Sequence, residues 1–128
     1  FNDIKKKYKI NIRQQKGSSL CERMNNCLLL ESSKHEKTIL IGSDIPSLTK
    51  GTIMDAKYAL LKKDVVIGPS TDGGFYLIGI KGHYKDLIDC MKPMDIQNVK
   101  NNISSRSLDL ELLTELKDID KPEDLLVI

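Results

Sequence analysis

Apolar and polar positions along this chain fall into two alternating rhythms. Lys7 to Gln14 alternates with period two, with Tyr8, Ile10 and Ile12 on one side and Lys9, Asn11 and Arg13 on the other. That predicts a strand with one polar face, which Gly17 ends. Ser19-Leu20-Cys21-Glu22 has capping-box spacing and predicts a helix from Ser19 to about Leu30. Leu20, Met24, Cys27 and Leu28 form its apolar stripe. Lys37–Ile41 reads as the next strand. Thr49 then caps a predicted helix over 50–62 that turns Ile53, Ala56, Leu60 and Leu61 inward. The run Asp64-Val65-Val66-Ile67-Gly68-Pro69 is a short, almost wholly apolar strand, and Phe75–Ile80 is another.

The second half reads less sharply. Residues 83–91 are predicted helical, with Pro93 as the stop, and 94–106 form a weaker helix because Asn98, Asn101 and Asn102 lower its propensity. Leu108–Leu116 is a strand or extended segment, and Pro122 suits the first turn of a final short helix. Apolar strands separated by amphipathic helices predict an α/β layered domain with a mostly parallel sheet.

With 128 residues, 40% of them hydrophobic, the chain is one domain, 1–128, able to bury a core without staples. Cys21, Cys27 and Cys90 are odd in number and form no CxxC pair. They read as reduced, buried thiols of a cytoplasmic protein. No apolar stretch is long enough to span a membrane. Charge is uneven. Residues 1–16 carry six basic groups against one acid, net +5, and residues 104–128 carry three against seven, net −4. No aromatics interleave with the amino-terminal lysines, so a solvated edge is favoured and no nucleic-acid partner is expected.

Three acidic phrases carry the candidate chemistry. In Ile39-Leu40-Ile41-Gly42-Ser43-Asp44-Ile45-Pro46 an apolar strand ends in small residues, one carboxylate and a turning proline. A carboxylate at that edge can hold Mg²⁺ or Mn²⁺, or it caps the turn. Asp72-Gly73-Gly74 between two strands is ordinary hairpin composition, and that reading leads. Its functional alternative lays a substrate on bare backbone while Asp72 grips a hydroxyl. Asp118 and Asp120, two apart, point to one side in extended chain and can complete a metal site begun by Asp44, or Asp120 caps the helix at Pro122. Asp124 reads as a surface charge. His35 and His83 have no metal spacing. His35 is expected in solvent, and His83 at a helix start, near enough to reach an acceptor or simply exposed.

Together these phrases, with Gln14-Gln15-Lys16-Gly17 and Cys21-Glu22-Arg23-Met24, resemble the bacterial glycosyltransferase-like family called radical-SAM/selenodomain-associated transferase 1. Order and spacing match over about residues 10 to 125. The resemblance implies a three-layer α/β/α GT-A fold, that of nucleotide-diphospho-sugar transferases. It implies that Asp44 and Asp120 hold a divalent metal, that Ser43, Gly73 and Gly74 bind substrate, and that Asp72 is catalytic. The expected activity is metal-dependent glycosyl transfer from a nucleotide sugar. Nucleotidyl transfer from a nucleoside triphosphate, as in the guanylyl- and cytidylyltransferases of this fold, is the alternative, and a non-catalytic binding module is a second one. Departures from the family pattern are specific. The family's first strand and its Lys-x-Pro-x-Pro-Gly-x-x-Lys-Thr-Arg loop have no counterpart here, so the domain is expected to be incomplete at its amino end and to bind nucleotides weakly alone. The gap in the sheet offers a route to self-association. Cys21 stands where Gly precedes Glu-Arg-Met, and Met91–Asp95 replaces a Trp-containing segment.

Overall fold

A computed structural model describes residues 20–42, 50–71, 73–91, 95–116 and 125–127. The elements in chain order are helix α1 (Leu20–Ser32), strand β1 (Lys37–Gly42), helix α2 (Lys50–Lys62), strand β2 (Val65–Pro69), strand β3 (Phe75–Lys81), helix α3 (Ile96–Ser105), strand β4 (Leu110–Leu112) and strand β5 (Leu125–Val127). The expected strand at 7–14, the Ser19 and Thr49 caps and Pro122 itself lie outside the described residues, but Leu125–Val127, where the expected final helix would continue, is strand β5 paired with β1, which corrects that expectation.

The five strands form one sheet in the order β4-β2-β3-β1-β5. β2 and β4 are parallel, whereas β3 is antiparallel to both β1 and β2, and β5 is antiparallel to β1. The expectation of a mostly parallel sheet is corrected here. β1, β2 and β4 do run in one direction, but β3 is inserted between β1 and β2 against them. The reason is local. Only residues 70–74 join β2 to β3, far fewer than a parallel crossover requires.

Side chains alternate across this sheet into two apolar layers. Leu40, Val65, Ile67, Ile78 and Ile80 pack with Met24 and Leu28 of α1 and Val99 and Ile103 of α3. Ile39, Ile41, Val66 and Leu77 pack with Ala56 and Leu60 of α2 on the other face. The result is the three-layer α/β/α arrangement expected. Ile53, Ala56 and Leu60 are fully buried, but Leu61 is 59% exposed, so its expected inward position is wrong. It lies on the flank of a helix whose buried stripe is narrower than the sequence suggests.

One bulge breaks the alternation. The register passes from Gly68↔Leu77 to Pro69↔Phe75, leaving Tyr76 as the extra residue. Tyr76 therefore joins Leu77 in the layer beneath α2.

Residues 83–91 are not the expected helix. They run irregularly, with Asp86 at φ 51. Side chains of neighbouring helices take up the carbonyls that helical bonding would use. Arg106 donates to the Asp86 carbonyl at 2.7 Å, Asn102 to the Leu87 carbonyl, and Asn25 to the Ile88 carbonyl at 2.8 Å. Leu87 and Ile88 are buried in the α1–α3 layer. The weaker helix expectation at 94–106 is met by α3, where Asp95 accepts from the Asn98 N–H at 2.8 Å as N-cap.

The cysteines also differ from expectation. Cys21 and Cys90 are joined as a disulfide with Cα atoms 5.7 Å apart. Cys27 lies outside the pair and is half-buried. Two partners 69 residues apart in sequence leave no spacing signal, and only the fold of 82–91 against α1 brings them together. No helix among the described residues is long and apolar enough to cross a membrane.

Candidate functional site

The candidate site is built from chain ends that converge on one edge of the sheet. β1 runs from Lys37 to Gly42 and ends there. β5 begins opposite that end, with Leu125 paired to Gly42. β3 starts at the same edge because Leu77 pairs with Ile41 and Lys81 with Lys37. β2 ends there too, and Ser70 bridges Leu116 in parallel. Thr71 N–H donates to the Leu116 carbonyl and Leu116 N–H to the Pro69 carbonyl, both at 3.0 Å. The extended segment after β4 is thereby carried to the same edge.

Ser70, Thr71, Gly73 and Gly74 belong to the turn at this edge. Gly73 N–H donates to the Ser70 carbonyl at 3.2 Å, and Ser70 N–H to the Gly74 carbonyl at 3.0 Å. Gly73 has φ +92, a region open to glycine and costly for other residues. The hairpin reading of the Asp-Gly-Gly phrase therefore fits the backbone described at Gly73 and Gly74. Gly73 is exposed, and a Cβ built on it would meet nothing within 4 Å. Its carbonyl accepts from Ile96 N–H at 2.8 Å, which ties the turn to the first residue of α3. With these groups engaged internally, Gly73 offers a neighbouring molecule open CH surface rather than hydrogen-bonding groups.

Of the sequence-derived site residues, Gly73 and Gly74 lie at this edge. Ser43, Asp44, Asp72 and Asp120 lie outside the described residues, as do Asp118 and Asp124. The nearest described residues in sequence are Gly42, Thr71, Gly73, Leu116 and Leu125, all at the one edge, with Asp120 four residues from Leu116 and five from Leu125. Among the described residues no group of three or more His, Cys, Asp or Glu side chains could hold a metal ion.

His83 is exposed, as one of its two sequence readings expected, but it does not stand at a helix start near an acceptor. It lies beyond Lys81, which pairs with the first residue of β1, at the end of the sheet opposite Gly73. Its Nδ1 lies 2.7 Å from the Ser32 hydroxyl at the end of α1, so its imidazole secures a helix end. His35 is exposed, as expected.

Two tyrosines brace the sheet. Tyr76 is 4% exposed, and its hydroxyl donates to the Thr114 carbonyl at 2.9 Å. Burial, and then the nearby Asp55 charge, push its pKa up to about 12. Tyr84 donates to the Lys81 carbonyl at 3.2 Å, and its pKa is raised by burial and by Asp64.

A family model described as "uncharacterized protein conserved in bacteria" (DUF2064) matches residues 2–94. A crystal structure from Desulfovibrio desulfuricans G20, provisionally named a nucleotide-diphospho-sugar transferase, is similar with a TM-score of 0.74 and 29% identity, over 84% of this chain and 49% of that one. The chain thus spans about half the length of that protein. No curated protein matches the chain. The expected GT-A-like fold and family agree with these two likenesses, and neither of them carries the radical-SAM/selenodomain name.

Proposed function

The chain belongs to the bacterial family DUF2064, and on that footing we propose that it carries the metal and acceptor side of a transferase whose donor is a nucleotide-diphospho-sugar. The observation that supports this reading most is the convergence of Gly42, Ser70, Thr71, Gly73, Gly74, Leu116 and Leu125 on one sheet edge. In sequence Asp72 adjoins these residues, Asp44 is two from Gly42, and Asp120 is four from Leu116. Ligands of open α/β sheets bind at strand ends of this kind. The likeness to a protein named for that substrate class supports the choice of donor.

In this reading Asp44 and Asp120 hold Mg²⁺ or Mn²⁺, hard ions that suit carboxylate oxygens. The ion, when bound, offsets the charge of the diphosphate leaving group. Ser43, in the same reading, hydrogen-bonds a donor oxygen. Gly73 and Gly74 give the acceptor a surface free of side chains, and Asp72 accepts the hydrogen bond of the acceptor hydroxyl.

The test is release of nucleoside diphosphate from a panel of nucleotide sugars by the native gene product with Mn²⁺. Turnover of one sugar nucleotide, lost in Asp44→Asn and in Asp120→Asn while the proteins stay folded, is the expected result. Pyrophosphate release from a nucleoside triphosphate would replace glycosyl by nucleotidyl transfer. Undiminished turnover in both Asn variants would remove the metal site from these residues.

A further inference from the structure

Residues 82–91 have no regular secondary structure, yet ties at Asp86, Leu87, Ile88 and Cys90 hold them. Asn102 of α3 and Arg106, its C-cap, grip the Leu87 and Asp86 carbonyls. Asn25 of α1 accepts from the Ile88 N–H at 3.1 Å and donates to its carbonyl at 2.8 Å. The last tie is covalent, from Cys90 to Cys21 of α1. Five residues beyond Cys90, Asp95 caps α3, and Ile96 N–H donates to the Gly73 carbonyl at 2.8 Å. The disulfide and the glycine turn therefore stand at the two ends of one short stretch of chain.

We propose that Cys21–Cys90 is a thiol–disulfide latch that controls the order of the α3 start and, through Ile96, of the turn at Gly73. Closing the latch forms the S–S bond and removes two protons and two electrons from the two thiols. A disulfide-bearing exchange partner accepts them and becomes a dithiol, and opening is the reverse. Access favours this chemistry. Cys90 is exposed, so an attacking thiolate can reach it, while Cys21 is only 8% exposed and is spared direct attack. Opening is local because buried Ile88 keeps both bonds to Asn25 in either state. The freedom gained is confined to the chain around Cys90 and to the Asp95–Ile96 start of α3. The latch itself rests on this geometry, and only its bearing on catalysis rests on the proposed function.

The test uses the full chain, oxidised and reduced in glutathione buffers, with amide hydrogen exchange read by NMR and thiols mapped by alkylation and mass spectrometry. Oxidised protein is expected to show a Cys21–Cys90 linked peptide with Cys27 alkylated. On reduction, exchange at Ile96 is expected to rise at least about tenfold while Ile88 and Ile78 keep their protection. Cys90→Ser, checked for folding by circular dichroism, should match reduced wild type and ignore reductant, and Cys27→Ser should behave as wild type. Equal Ile96 exchange in both redox states would overturn the proposal. So would a rise spread equally to Ile78, which marks a global staple, or three alkylated cysteines after oxidation. No arm measures turnover, so failure here is distinct from failure of the transferase reading.

Discussion

The ring of Tyr76 lies over Gly68, in the space a side chain at that position would occupy. A Cβ on Gly68 would fall 2.3 Å from Tyr76 Cζ. The bulge at Tyr76 sends the ring to the α2 face, and only a residue without a side chain on the facing strand lets it lie flat. Gly68→Ala forces the ring out or the strands apart. The expected loss is about 2–4 kcal/mol, the sum of overpacking and the lost bond to Thr114. Urea unfolding of the variant beside wild type measures it, and a loss below 1 kcal/mol would mean the ring relocates freely.

Tyr76 also sets a dependence on alkaline pH. Its pKa is raised to about 12 in the folded protein against about 10 in the unfolded chain. The unfolded state therefore loses its proton first. The contribution of Tyr76 is fully present below pH 10 and is lost as pH climbs through about 12. Wild type should lose stability across that window more steeply than Tyr76→Phe, which below it should be less stable by about 1 kcal/mol for the missing bond to Thr114. Tyr84 shifts in the same direction and remains in both proteins, so the difference between the two curves isolates Tyr76. Parallel curves from pH 9 to 12 would contradict this account.

Asn25 is only 8% exposed and satisfies both backbone groups of Ile88. Asn25→Ala leaves a buried N–H and a buried C=O without that partner. About 2–4 kcal/mol of stability should be lost. Protease cleavage within 82–91 should appear before global unfolding, which limited proteolysis with mass mapping detects.

The segment that Asn25 holds is also where sequence reasoning went astray. Residues 83–91 read as a helix, yet Leu87 and Ile88 are buried by an irregular chain whose carbonyls are taken by Asn25, Asn102 and Arg106. Such capture depends on residues up to 63 positions away and has no local signature. The elements whose apolar pattern is continuous, α1, β1, α2, β2 and β3, stand within a few residues of where the pattern places them. There burial alone decides. The position of β3 between β1 and β2 was open to inference from the short 70–74 link, but the run Phe75–Ile80 is as apolar as a parallel strand and concealed its direction. At the candidate site, the double glycine signalled a turn correctly. The tie from Gly73 to Ile96 was invisible, since a backbone-to-backbone bond leaves no mark on residue type.

Thr38 is 1% exposed and, among the described residues, its hydroxyl has no hydrogen-bond partner. A buried hydroxyl without a partner costs its desolvation and returns nothing. Thr38→Val keeps the β-branched shape that suits the strand and removes the polar atom. The variant is expected to be more stable than wild type by about 1 kcal/mol, with an unchanged fold. A decrease in urea midpoint would show that the hydroxyl is satisfied.

Gly73 separates conformational cost from crowding. Space around it is open, since a Cβ would meet nothing within 4 Å, but its φ of +92 disfavours any other residue. Gly73→Ala is therefore expected to lose about 1–2 kcal/mol through backbone strain alone. The strain should surface where the turn is tied, at the bond from Ile96 N–H to the Gly73 carbonyl, as faster hydrogen exchange at Ile96 than in wild type. If the turn also receives the acceptor, Gly73→Val and Gly74→Val should abolish turnover in the native gene product, while circular dichroism reports a folded protein. Normal turnover in a folded Gly74→Val protein would reduce the phrase Asp72-Gly73-Gly74 to a hairpin turn and move the acceptor elsewhere on the edge. Turnover lost only in Gly73→Val would instead trace the defect to the strained backbone and its grip on α3.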